Sequence, residues 1–210
     1  MLTMEVLSMG SRIMHYYIAT KLLENLDMEH NGFVLGNLAP DVYSSSTELK
    51  NRSHFMKPDR NDVIYIDYDL FHETYLRLNP SPFHLGYYFH LITDDIWLNE
   101  IYYKEIRWLP PGVKREAKKA YYRDFRRLNK KLIEKYSMDL VPIDVQYEAD
   151  IAEIDSSLLP NLLSDLRNDF RLADSNPDEP LEVLVFEEVL QVLDMTVERC
   201  ISCWNLQTNR

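Results

Sequence analysis

Glycine is scarce in this chain. Five glycines stand among 210 residues, against ten prolines. Turn-rich β architectures draw on glycine for positive φ and tight bends. A chain short of it, and rich in Leu, Glu, Asp, Arg and Tyr, favours helices. Hydrophobic residues make up 46% and charged residues 27%, which excludes wholesale disorder. A chain this long buries a sizeable core without disulfide or metal staples. The expectation is therefore an all-α fold, a single helical domain over residues 1–210.

The apolar spacing divides that domain. Ser11 caps a helix through about Leu26, with Ile13, Tyr16, Tyr17, Leu22, Leu23 and Leu26 as its apolar positions. Asn31-Gly32 reads as its break, and residues 33–38 as a short helical turn ended by Pro40. Residues 42–62 are polar, with Ser44-Ser45-Ser46, and read as a long loop. Residues 63–66 alternate like a strand, but helix or loop is the favoured assignment. Asp67 caps a helix to about Leu78, and Pro82 opens a long one to about Arg107. Pro110-Pro111-Gly112 is the clearest break, and a basic helix follows over 113–136. Further helices are expected at 144–157, 160–172 and 180–205. The role of residues 110–210 is left open.

The formal charge is −11, which argues against a nucleic-acid polymer as partner. The charge is uneven: residues 104–135 hold 12 Lys/Arg against 4 Asp/Glu, whereas residues 136–210 hold 4 against 16. The basic segment reads either as a solvated face balancing acidic neighbours or as a phosphate-attracting rim. Two cysteines, Cys200 and Cys203, make no disulfide framework. With no signal peptide and no apolar run of membrane length, a cytoplasmic protein is expected. The stretch 181–195 is amphipathic, and either faces the core or joins a second protomer.

All six histidines lie at or before residue 90, so imidazole chemistry belongs to the N-terminal half. His90-Leu-Ile-Thr-Asp94 places imidazole and carboxylate one helical turn apart on one face. Gly86, a turn earlier, leaves room there for a second helix or a ligand. His15 stands mid-helix among apolar residues, Asp41 follows Gly36-Asn-Leu-Ala-Pro40, and His54 sits beside Phe55. Each alone reads as a structural residue. Together, His15, Asp41, His54, His90 and Asp94 form a nitrogen and oxygen donor set without thiolate. Such a set suits zinc, iron, manganese or nickel at an open catalytic site.

Four ordered motifs carry a resemblance. Ser11-Arg-Ile-Met-His15-Tyr16, Leu35-Gly-Asn-Leu-Ala-Pro-Asp41, Ser53-His54-Phe55 and Leu85-Gly-Tyr-Tyr-Phe-His90-Leu-Ile-Thr-Asp94 together resemble the bacterial zinc-dependent phospholipase C family, related to single-strand-specific zinc nucleases. The likeness covers residues 9–105, the expected metal-binding core. It implies an all-α, multi-helix bundle with metal held between helices. By the same resemblance, Asp41, His54, His90 and Asp94 hold one ion, and His15 with a bridging Asp94 contributes to a second. Secreted members complete the second ion with the free N-terminal residue. Here fourteen residues precede His15, so one ion is expected and two are possible. No histidine follows His90, so a third ion is not expected. The motif begins at Met9-Gly10, which leaves Met1 or Met9 as the native start.

The expected activity is hydrolysis of a small phosphate ester, a phosphodiester first, by metal-activated water. Asp41 or Asp95 would orient the water or take its proton. Arg12, one turn before His15, would bind substrate phosphate or pair with Asp41 or Asp94. Asp95 points away around the helix and reads as a supporting or surface residue. His72 and His84 lack matching motifs and read as core or surface histidines. Two other readings stand: a histidine–aspartate-domain phosphohydrolase acting on nucleotides, although no His-Asp dipeptide occurs here, and a non-catalytic metal-binding helical interaction protein.

Overall fold

Ser11 begins the first helix as its spacing predicts. Its Oγ accepts the Met14 N–H, and α1 runs Arg12–Leu23. Residues 13–19 are all buried, so this helix is apolar on every side and sits inside the molecule. The structure, a computed structural model, describes residues 10–43, 46–77, 80–144, 150–175 and 178–208. The choice between Met1 and Met9 falls outside them.

Asn31-Gly32 does not break a helix; it starts one. The Glu29 carboxylate accepts the N–H groups of Asn31 and Gly32, each at 2.7 Å, and α2 runs His30–Leu38. Pro40 does not stop the chain either. It occupies the first turn of a 3-10 helix, Ala39–Val42, where its missing N–H costs nothing. The polar stretch after it is not one long loop. Ser46 caps α3, Thr47–Ser53, by accepting the Leu49 N–H. Residues 64–66 form the strand that their alternation suggests, rather than helix or loop. β1, Met56–Pro58, pairs antiparallel with β2, Ile64–Ile66, and Met56 stands opposite Ile66.

Asp67 caps α4, Tyr68–Phe71, which continues as a π turn through His72–Leu76. Ser81 and His84 form a capping box around Pro82, and α5 runs Pro82–Trp97 before loosening into a π segment, Leu98–Arg107. The basic helix α6 spans Pro111–Tyr136. The helix expected at 144–157 is not formed in its described part, whose helical content is one 3-10 turn, Ser156–Leu158. There the Asp155 carboxylate takes the Ser157 N–H, the kind of local bond that competes with helix. α7 is Leu159–Ser175 and α8 is Phe186–Thr208, six residues later than expected at its start.

Two close approaches set the architecture. A Cβ on Gly36 of α2 would lie 2.0 Å from the Phe83 carbonyl oxygen, and one on Gly86 of α5 would lie 2.1 Å from that of Phe33. The missing side chains let α2 and α5 cross backbone to backbone. The room foreseen at Gly86 is thus filled by a helix. Asn37 locks the crossing, its Nδ2 donating to the Gly86 carbonyl at 3.0 Å.

The basic helix faces an acidic strap. Arg123 pairs with Glu182, Arg127 with Glu179 and Glu182, and Lys131 with Asp178. Beneath them the buried Asp124 carboxylate accepts the backbone N–H groups of Glu182, Val183 and Leu184, at 2.8–3.0 Å for the nearest oxygens. These bonds explain the late start of α8, because residues 182–184 spend their N–H groups on α6. Most of the positive face balances acidic neighbours, as one of its two readings held.

One hydrophobic cluster runs through both halves, from Ile13 and Phe89 to Leu128, Leu166 and Leu193. Within 181–195, Leu184, Val189, Val192 and Leu193 are buried in it. Cys200 is buried and Cys203 partly so, both as free thiols. The described residues form an all-α fold with one small ribbon, and none of their helices is long and apolar enough to cross a membrane.

Candidate metal centre

Five side chains from four elements meet inside the bundle. α1 brings His15, the 3-10 turn after α2 brings Asp41, His54 closes α3, and α5 brings His90 and Asp94. His54 and His90 are fully buried, and His15 and Asp94 are 1% exposed. His15 Nε2 lies 3.1 Å from Asp94 Oδ1, His90 Nε2 3.2 Å from Asp94 Oδ2, and His54 Nε2 3.4 Å from both Asp41 Oδ1 and Asp94 Oδ2. The His15 and His90 rings stack, with centroids 3.7 Å apart.

The far nitrogens of two rings are already committed. His90 Nδ1 donates to the Asn37 carbonyl at 2.7 Å, and His54 Nδ1 to the Lys50 carbonyl at 2.9 Å. When both rings are neutral, those Nδ1 protons leave lone pairs on the two Nε2 atoms, which stand 3.3 Å apart. Two lone pairs at that distance, flanked by two carboxylates, repel unless a cation lies among them. Asp94 Oδ1 and His15 Nδ1 are also buried without a well-formed hydrogen bond among the described residues, Asp94 Oδ1 having only the His15 Nε2 contact at 3.1 Å. An orphaned buried carboxylate oxygen is costly when left bare, and a metal ion satisfies it.

The geometry divides the donors into two overlapping groups, His15/His90/Asp94 and Asp41/His54/His90, each with its ligand atoms within 4.8 Å of one another. Either group could hold a metal ion. His90 belongs to both, whereas the resemblance made Asp94 the bridge.

Electrostatics follow from burial and the two carboxylates. Burial and the neighbouring His90 charge pull His15 below the ordinary imidazole range. Burial lowers His54 as well. Burial also acts against a charged His90, but Asp94 beside it more than offsets this and raises it. Asp94 resists burial in turn, held far down by His90 and His15. Asp41 is likewise held well below the carboxylate range, against burial, by Lys50 and His54.

Lys50 was missed by the reading of the sequence. It is 8% exposed, and its Nζ lies 3.2 Å from Asp41 Oδ1. It stands four residues before His54 on α3, a spacing invisible while that segment read as loop. Ser53 was quoted in a motif without a role; its Oγ meets both the Pro40 carbonyl at 2.8 Å and His54 Nδ1 at 3.0 Å. Tyr87 donates to the Ser53 carbonyl at 2.5 Å.

Arg12 departs from its expected partners. Its guanidinium makes a forked pair with Asp169 of α7, at 2.8 and 3.2 Å, rather than with Asp41 or Asp94. Asp169 lies in the part of the chain to which no role was assigned. Asp95 stays outside the five ligands, raised to about 6 chiefly by burial. His84 serves the capping box and pairs with Asp150 at 2.8 Å, and the His72 ring packs beside Tyr88. A cavity of about 280 Å³ adjoins the centre, bounded by Asp41 and Lys50 and by Arg12, Arg126 and Asn129.

No protein-family model, no curated protein and no solved structure matches this chain. The likeness to zinc-dependent phospholipases C therefore rests on the four motifs.

Proposed function

We propose that this chain is a metal-dependent hydrolase of phosphate esters, phosphodiesters first, with zinc as the preferred ion and iron, manganese or nickel as alternatives. The observation that carries the reading is the convergence of His54 and His90 Nε2, 3.3 Å apart beside two carboxylates, each ring held by a bond from its Nδ1 to a backbone carbonyl. That tautomer prepares imidazole for metal and fixes the ring orientation. A divalent ion, when bound, lowers the pKa of its water towards about 7 and polarises a phosphoryl oxygen.

The chain's own residues supply the rest. Asp94 is the inner anchor, 1% exposed beside three imidazoles. Asp41 is more open, at 12%, and borders the cavity, so it would orient the attacking water through a hydrogen bond. Lys50 keeps Asp41 ionised and adds positive charge where the phosphate approaches. Arg12, fixed by Asp169, stands on the same cavity wall and offers its remaining N–H to the substrate. The free thiols Cys200 and Cys203 accord with a cytoplasmic setting.

Metal analysis of the purified chain tests this. Wild type should carry near-stoichiometric transition metal and hydrolyse bis(4-nitrophenyl) phosphate. Asp94→Asn should lose both. Metal retained without turnover of any phosphate ester would instead favour a metal-stabilised interaction protein.

A further inference from the structure

The cavity beside the metal centre holds more positive charge than its structural pairs require. Arg12 is answered by Asp169 and Lys50 by Asp41. Arg126 of α6 borders the same cavity and has no acidic partner among the described residues, although Arg123 and Arg127 on either side are bound into the acidic strap. Among the residues that line the cavity, three cationic side chains thus meet two carboxylates, one of which, Asp41, a divalent ion would neutralise further.

Two further features point the same way. Asn129, which lines the cavity, accepts the Ser11 hydroxyl on Oδ1 at 2.5 Å, and this leaves Nδ2 as the donor end of its carboxamide. Gly10 and Ser11 place the positive end of α1 on the same wall. An unpaired guanidinium, a carboxamide donor and a helix N-terminus around one cavity match an oxyanion, which arginine grips through paired N–H groups.

We propose that this cavity is an oxyanion subsite, with Arg126 as its specificity-determining residue. The substrate would be a phosphate ester carrying a second anionic group beyond the scissile phosphate, rather than one with a neutral or cationic headgroup. The inference rests on the hydrolase reading for the scissile end, but the subsite belongs to residues of the chain itself.

Inorganic phosphate is the probe. Calorimetric titration should be run on wild type, Arg126→Ala and Arg126→Lys, both metal-loaded and chelator-treated. In parallel, phenylglyoxal labelling of Arg126 is read by mass spectrometry with and without phosphate. We expect Arg126→Ala to bind phosphate about tenfold or more weakly, the scale of a lost charged hydrogen bond. Arg126→Lys should fall in between, and phosphate should protect Arg126 from labelling. Metal content of both variants should equal that of wild type. Unchanged phosphate binding in Arg126→Ala, or labelling indifferent to phosphate, would overturn the subsite. A chain that binds no metal would overturn the hydrolase reading separately, because the chelator-treated arm still reports on Arg126.

Discussion

Lys50 carries a consequence of its own at the centre. It is a buried ammonium held on a metal-ligand carboxylate, and it shares that carboxylate with His54. Breaking a buried pair from one side leaves the other charge uncompensated, at a cost of about 3 kcal/mol. We therefore expect Lys50→Met to destabilise the chelator-treated protein by about that much. The same change removes a cation from beside the ion, so metal should bind more tightly and restore more stability than in wild type. Urea unfolding with and without zinc reads both effects. Weaker metal binding in Lys50→Met would mean that the lysine positions Asp41 rather than competing for it.

At the level of elements, the site depends on two backbones passing close. Gly86→Ala would set a Cβ 2.1 Å from the Phe33 carbonyl oxygen, so α2 and α5 must part. The expected loss is about 3 kcal/mol in urea unfolding. Metal content should drop with it, because the bond from His90 to the Asn37 carbonyl spans the same crossing. Asp124→Ala tests a different element, the acidic strap. It strands three backbone N–H groups and should cost about 3 kcal/mol by the same assay. Of the two glycine contacts, only that of Gly86 was half legible in the sequence. The i, i+4 spacing of His90 and Asp94 announced a shared helical face, and Gly86 announced space beside it. Which helix filled that space required the fold. α3 was hidden because its cap, Ser46, ends a serine run that reads equally well as loop. Lys50 was hidden with it. Arg12 was placed near the site by its spacing, but Asp169 lies 157 residues away and no local pattern joins the two.

Across the whole molecule, a surplus of acid is held in place by one basic helix. The net charge is −11, yet Arg123, Arg127 and Lys131 gather acidic residues of the strap onto α6. Glu182 is pulled down to about 2, first by Arg123 and then by Arg127. A carboxyl depressed on folding stabilises the fold above its unfolded pKa of 4.5, and that contribution is lost as pH falls towards about 2. Glu182→Gln should therefore lower the melting temperature at pH 7 and converge with wild type in acid. The difference at pH 7 should shrink with added salt, since the pair is exposed. An unchanged gap at low pH would assign the effect to packing instead.

The five donors themselves are tested most directly by anomalous diffraction. Crystals of chain purified without chelator should be measured on both sides of the zinc, iron, manganese and nickel edges. The account predicts a strong anomalous peak enclosed by Nε2 of His54 and His90 and the carboxylates of Asp41 and Asp94. A map with those side chains in place and no anomalous density among them would contradict it, and would leave a proton shared by the histidines as the cation that the cluster requires.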